Sequence, residues 1–457
     1  VRRPLLAALV AASVLALAPA SSAAAARRTV PGELDRMLAA GAIDQPTHDA
    51  WRQAFDDAKR TLEALHGTRR VQLDAVLGNV RALAAGGLLT PQRAPLAFLT
   101  LQRNRTWWAA SPLLASGQRV GFSDSQLVWQ FYPGQGIQVQ WLGSFGKANG
   151  LLAARNRNAE LSELLDEAQA LAVPRAGGIA WESMFRFDGG HPPWVSGLTQ
   201  GTALQAFSRA AVRLGRPELF DVARSALGVF RQPPPEGVRV ATAAGAHYAQ
   251  YSFGPGLRIL NGFVQALDGL HDFGALANDD EGRALFAAGE AELRVELPAY
   301  DTGAWSLYSP AHESSLNYHL LVRDFLHGLC TRLRDDAERR PAPTPDPTLY
   351  CQADERFSAY LRQPPALALR SRRLRAKDPA ALRFTLSKVS TVTLTLVRAG
   401  QVVLARTVRF EHGTRSFAVR LRHSGPLQVR LRAVDPAGNA AQIEGQVEVL
   451  RPRRHRR

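Results

Sequence analysis

After residues 5–18, the 457-residue chain has no run long and apolar enough to cross a bilayer. It has two cysteines, and no His or Cys pair stands at metal-ligand spacing; His312-Glu313 lacks the second histidine of a zinc-protease helix. No metal site is therefore expected. The glycine-rich PGQGIQ (133–138) has no strand context for a nucleotide loop and fits a tight turn. Tyrosine is scarce too, with 8 residues in all, so a cluster of tyrosines carries information.

Residues 1–26 have the pattern of an export signal: Arg2 and Arg3, an apolar run, then small residues at 21–26. Secretion or cell-wall association of the remainder follows as an expectation. The net charge of +16 is uneven: from Pro364 onward 20 Lys+Arg face 5 Asp+Glu, whereas residues 27–363 sum to −1. A basic region outside the cell meets anionic cell-wall polymers or acidic glycans more often than nucleic acid. The alternative is a solvated, arginine-rich surface. Cys330 and Cys351, an even pair in an exported chain, are expected to form a disulfide across ERRPAPTPDPTLYC.

Apolar residues recur three and four apart from Pro31 to about Gln102, which predicts an N-terminal helical segment within 27–120. From Gly121 the chain starts as a polar, aromatic loop. It then alternates aromatic loops with amphipathic helices: GGIAWESMFRFDGGHPPW before VSGLTQGTALQAFSRAAVRLG, and YAQYSFGPG before LRILNGFVQALDGLHDFG. This alternation suits a mainly α, toroid-like domain over 121–363 with a cleft at one end. Near Pro364-Pro365 the period falls to two. Short strands punctuated by Gly400, Gly413, Gly425 and Gly438 predict an immunoglobulin-like β-sandwich over 364–450, then a basic tail at 451–457.

The densest segment is YDTGAWSLYSPAHESSLNYH (300–319). Pro310 cannot donate inside a helix, so Tyr308 is expected in a loop and Tyr318 on a helix starting near Ser314. Two phenols entering one pocket from separate elements can exchange protons on both faces of a sugar.

Four blocks share order and spacing with a known family: WQFYPGQGIQVQ with FGKANGL (129–151), PWVSGLTQGTAL (193–204), QYSFGPGLRILNGFVQALDGLHDF (250–273), and LPAYDTGAWSLY with LNYH (297–319). Over about 129–363 the chain resembles the C-terminal catalytic domain of the D-glucuronyl C5-epimerase family. The resemblance implies an incomplete (α/α) toroid. It also implies inversion of C5 of glucuronic acid within a polymer, with no organic cofactor. Its proposed proton-transfer tyrosines correspond to Tyr251, Tyr308 and Tyr318, and its pocket asparagine to Asn261. Animal members carry a glutamate where this chain has Gln250. An amide orients but cannot take a proton, so Glu182 or Asp188 in the Trp-rich loop is a substitute base.

The C5 hydrogen lies α to a carboxylate, so its removal builds negative charge that needs stabilising, and the proton must return to the opposite face. A tyrosine is a weak base unless cations or hydrogen bonds lower its pKa. Arg258 is a candidate to neutralise the substrate carboxylate, and His319 a partner for Tyr308 or Tyr318. Trp181 and Trp194 either stack on sugar faces or fill helix junctions. A uronate lyase and a non-catalytic glycan- or cell-wall-binding protein are the competing readings.

Overall fold

The computed structural model describes residues 28–154, 156–339 and 344–452. The expected export signal and positions 453–457 of the basic tail lie outside the described residues. Four helices come first: α1 (Val30–Ala39), α2 (Gln45–Ala64), α3 (Gly67–Ala85) and α4 (Ala94–Ala110). Thr29 accepts from the Gly32 N–H and Asp44 from the Thr47 N–H, each ahead of a proline in the first turn. Such caps satisfy amides that have no partner inside the helix.

The polar segment expected as a loop after Gly121 is instead part of an antiparallel sheet, β1 (Arg119–Val120), β2 (Trp129–Tyr132) and β3 (Gly136–Val139), in that order. Four-residue strands are too short for a period of two to stand out. The expected turn is there, with Gly134 and Gly136 at positive φ. Gln72 of α3 accepts from the Gly134 N–H at 2.7 Å, so the N-terminal helices hold this hairpin in place.

The chain continues through α5 (Trp141–Ala153), α6 (Asn158–Ala170), the hairpin β4 (Val173–Arg175) and β5 (Gly178–Ala180), α7 (Gly197–Leu214), α8 (Glu218–Ser225) and α9 (Gly228–Arg231). A second hairpin, β6 (Arg239–Ala241) and β7 (Ala246–Tyr248), leads to α10 (Leu260–Leu276) and α11 (Asp280–Glu296). After it come β8 (Leu307–Ser309), β9 (His312–Glu313), α12 (Leu316–Arg339) and α13 (Thr348–Tyr360). Helices α7 and α10 are the central pair; α5, α6 and α8 pack on the first, α11 and α12 on the second. Their backbones approach at Gly201 and Gly269, where a Cβ on Gly269 would stand 1.9 Å from the Gly201 carbonyl oxygen. One hydrophobic core runs from Val30 to Val389, uniting the first four helices with the rest. Cys330 and Cys351 are disulfide-bonded and tie α12 to α13. Among the described residues no helix is long and apolar enough to cross a membrane.

The C-terminal region is all β. Strands β10 (Leu367–Leu369), β11 (Arg373–Arg375), β12 (Pro379–Leu386), β13 (Ser390–Arg398), β14 (Gln401–Phe410), β15 (Gly413–Arg420), β16 (Gly425–Val434) and β17 (Ala440–Leu450) form two sheets, ordered 10-12-15 and 11-17-16-13-14. Both sheets turn alternate residues onto a second core that includes Phe384, Leu394, Phe417 and Leu431. The two regions are bolted together by buried polar groups. Glu313 accepts from the Val389 N–H at 2.8 Å and the His412 N–H at 2.6 Å. The Lys388 ammonium, 1 % exposed, pairs with Asp435 at 2.9 Å and donates to the Tyr360 carbonyl.

Candidate active site

The cleft lies where three loop-to-helix junctions meet. The 194–196 segment enters α7, whose cap is Ser196, accepting from the Thr199 N–H. Residues 249–259 lead from β7 into α10, and β8–β9 leads into α12. The first two are sewn together: the Ser252 N–H donates to the Val195 carbonyl at 2.9 Å, and the Val195 N–H to the Ser252 hydroxyl at 3.2 Å. The β2–β3 hairpin closes the remaining side.

The resulting cavity is about 390 Å³. Trp194, Phe185, Phe187 and Tyr132 form its aromatic wall, and Ser196, Thr199, Gln250 and Asn261 supply polar groups. Tyr251 and Tyr318 face into it. Among the described residues no charged side chain lines it.

Tyr251 is wedged in that wall, stacked on Phe253 with centroids 5.1 Å apart and edge-on to Trp194 at 5.7 Å. Gln250 donates to its hydroxyl at 2.9 Å. Tyr308, on β8, lies in hydrogen-bonding reach of both Gln250 and Tyr318. The Tyr308 and Tyr318 rings are 4.6 Å apart, inclined by 40°. Gln250 therefore joins one tyrosine to the other two. The amide is held from behind by Gly262, where a Cβ would fall 2.5 Å from the Gln250 side-chain oxygen. Burial pushes the Tyr251 phenol up to about 12, and the exposed Asp188, on the turn at 187–190, adds to the rise. Burial also raises the Tyr308 phenol well above its ordinary value. No cation lowers either one.

Asn261, in the first turn of α10, is 2 % exposed, and neither end of its amide has a partner among the described residues. A buried amide costs free energy unless something bonds it, and Asn261 lines the cleft, where its amide can bond a group held there. The cleft continues past Gln140, Leu142, Leu198 and Leu321 into a wider opening of about 770 Å³, bordered by Arg119 and Lys147.

Three expected roles are corrected. Glu182 is sealed in the interior, bidentate to Arg93 at 2.6 and 2.9 Å and bonded to Arg175 at 2.6 Å. A carboxylate fully committed to two guanidiniums neither faces a substrate nor takes its proton. Arg258 turns away from the cleft to Glu292 and Glu296 on α11. His319 is wholly buried, stacked on Trp305 at 3.8 Å, with Nε2 donating to the Phe357 carbonyl at 2.9 Å and Nδ1 bonded to the Ser306 hydroxyl at 2.8 Å. It touches neither tyrosine, and burial holds its pKa down at about 4. The two tryptophans divide: Trp194 lines the cleft, while Trp181 is core, packed on Phe207 and donating to the Ala168 carbonyl.

Tyr132 was missed. It lines the cleft near Gln140, which bonds its hydroxyl, and burial raises its pKa to about 12. The signal was in hand, since the WQFYPGQGIQVQ block contains it, but only the hairpin aims it inward.

The cleft is thus an aromatic trough furnished with hydroxyls and amides. Residues 177–337 match the family described as D-glucuronyl C5-epimerase C-terminus. A D-glucuronyl C5-epimerase of Caenorhabditis elegans is 32% identical over 134 residues, 26% of this chain and 22% of that protein. An uncharacterized protein of Methanocaldococcus jannaschii is 26% identical over 136 residues, 28% of this chain and 44% of its own length. The chain thus spans less than half of either relative. Among solved structures, a sugar epimerase from a ruminal bacterium aligns with 12% identity over 49% of this chain and 59% of its own, at a TM-score of 0.35. The endo-beta-1,4-glucanase CMCax of Acetobacter xylinum gives 12% identity and a TM-score of 0.28, covering 42% of this chain and 68% of its own.

Proposed function

We propose that this chain is an exported uronic-acid C5-epimerase, inverting C5 of D-glucuronyl residues within a polysaccharide by proton transfer between tyrosines on two sides of the sugar. The observation carrying the reading is that Tyr251 and Tyr318 line one cleft, with Tyr308 within hydrogen-bonding reach of Tyr318 and of the Gln250 amide that bonds Tyr251. One phenolate accepts the C5 hydrogen, and a second phenol delivers a proton to the opposite face. Between the steps, negative charge on the carboxylate is met by hydrogen bonds, for which the unpartnered Asn261 amide is available. With a phenol at about 12, forming the base at pH 7 costs about 7 kcal/mol, at roughly 1.4 kcal/mol per pH unit. The wider opening beside Arg119 and Lys147 supports a polymeric substrate whose neighbouring units are anionic.

In this reading the helical region is an incomplete (α/α) toroid. The C-terminal region is an immunoglobulin-like sandwich, a reading its strand order supports. The test is incubation with heparosan in deuterated water: deuterium at C5 is expected, and no exchange on any uronate polymer rejects the proposal. Absorbance of an unsaturated uronate would make the protein a lyase instead.

A second reading, a non-catalytic glycan-binding protein, is favoured by one feature. The lining is uncharged, with an amide at Gln250 where a carboxylate would serve as base. Binding of heparosan unchanged by Tyr308→Phe and Tyr318→Phe, together with no exchange in the parent, selects it.

A further inference from the structure

The two sheets of the β domain leave one side open. Strand β14 is the outer strand of the larger sheet and β15 the outer strand of the smaller. Between them runs a groove of about 510 Å³ whose apolar floor includes Leu404, Val419 and Leu421. Arg398, Arg406, Arg420 and Arg422 surround it.

Three of these arginines are braced by main-chain oxygens. Arg398 donates to the Ser424 and His423 carbonyls at 2.8 and 2.9 Å, Arg406 to the Ala418 carbonyl at 2.9 Å, and Arg420 to the Lys377 carbonyl at 3.2 Å. Each bond fixes a guanidinium without neutralising it and leaves further N–H donors unspent. The arginines of this domain that do find carboxylates are others, Arg415 with Glu411 and Arg430 with Glu444. Among the described residues these four arginines have no carboxylate partner, and a row of guanidiniums over an apolar floor suits an anion. It suits a ligand whose acidic groups alternate with C–H surface.

We infer that this groove binds the acidic polysaccharide itself, through its carboxylates, at a second site remote from the tyrosines. The identity of the polymer rests on the proposed function; the groove's anion preference does not. Single-stranded nucleic acid is the less fitting polyanion, because its binding relies on aromatic platforms and the groove has no Phe, Tyr or Trp. Because Lys388 bonds the Tyr360 carbonyl and Glu313 the Val389 and His412 N–H groups across the junction of the two domains, a chain held in the groove raises the local concentration of polymer at the cleft.

The experiment compares heparosan binding by the full chain and by its Arg420→Glu/Arg422→Glu variant, using titration calorimetry at two salt concentrations. The expected result is a loss of about tenfold or more in affinity with a shallower salt dependence. Arg422→Glu alone changes a surface residue and is expected to reproduce part of the loss at an unchanged Tm. Unchanged affinity in both variants overturns the inference, as does equal binding of a single-stranded oligonucleotide by the parent. C5 exchange on a short oligosaccharide is read separately. Its absence on oligosaccharide and polymer alike rejects the epimerase reading and leaves the groove standing; its persistence alongside unchanged polymer affinity rejects the groove alone.

Discussion

Gln250 donates to the Tyr251 hydroxyl at 2.9 Å, while its own buried side-chain oxygen has no hydrogen-bond partner among the described residues. The amide thus positions the phenols and takes no proton from them. Replacing it by Gln250→Glu supplies a carboxylate in the same volume, able to accept from Tyr251 and Tyr308. C5 exchange is expected to rise by at least about tenfold, since a positioned general base contributes ~10²–10⁴. Deuterium incorporation measured by NMR decides it, and a rate at or below that of the parent contradicts the orienting role.

Tyr318 is 42% exposed and sits on the first turn of α12. Tyr318→Phe is therefore expected to leave Tm within about 1 °C, since surface changes stay near ±0.5 kcal/mol. Exchange is expected to fall by about 10² or more. Tyr308→Phe should match it in rate, with a small cost in stability from the lost hydrogen bonds. Thermal melts beside exchange rates separate the two effects.

Only the phenolate is a base, and burial disfavours it at both Tyr251 and Tyr308. Below such a raised pKa the reactive fraction grows as pH rises. The exchange rate is expected to climb about tenfold per unit between pH 7 and 9. A profile flat over that range would assign the base to another group.

Glu182 offsets Arg93 and Arg175 in the interior. Glu182→Gln leaves two guanidiniums without their counter-charge and is expected to cost about 3–5 kcal/mol of stability. Exchange per folded molecule should remain near that of the parent. A stable variant that has lost exchange would restore a catalytic role to this carboxylate.

His319 is neutral in the fold, with a pKa near 4 against an ordinary value of 6.5. The unfolded chain takes up the proton first as pH falls, so this group's contribution is complete above about 6.5 and fades towards 4. Asp268, raised to about 7 by burial, acts in the opposite direction. The contrast of the parent with His319→Gln is therefore the useful measurement. The parent should lose stability relative to the variant between pH 6.5 and 4, by up to about 3 kcal/mol.

The helices, the strands beyond Pro379 and the disulfide could be read locally, because periodicity, caps and cysteine pairing are properties of neighbouring residues. The grouping of Tyr251, Tyr308, Tyr318 and Asn261 was reachable through motif resemblance. Arg258 and Glu182 were misjudged for one reason: each lies close in sequence to a cleft residue, yet its charge is claimed by an ion pair dozens of positions away. Tyr132 and the hairpin carrying it stayed hidden because strands of four residues leave almost no period.

What the amino-acid order determined by itself was which segments coil, which extend, and where a reactive vocabulary of tyrosine, amide and tryptophan is concentrated. The folded chain alone decided which side chains share one hollow. That choice depends on Gly201 against Gly269 and Gly262 behind Gln250, close approaches between segments far apart along the chain. Local patterns do not encode them, because the free energy of such contacts exists only once both partners are in place.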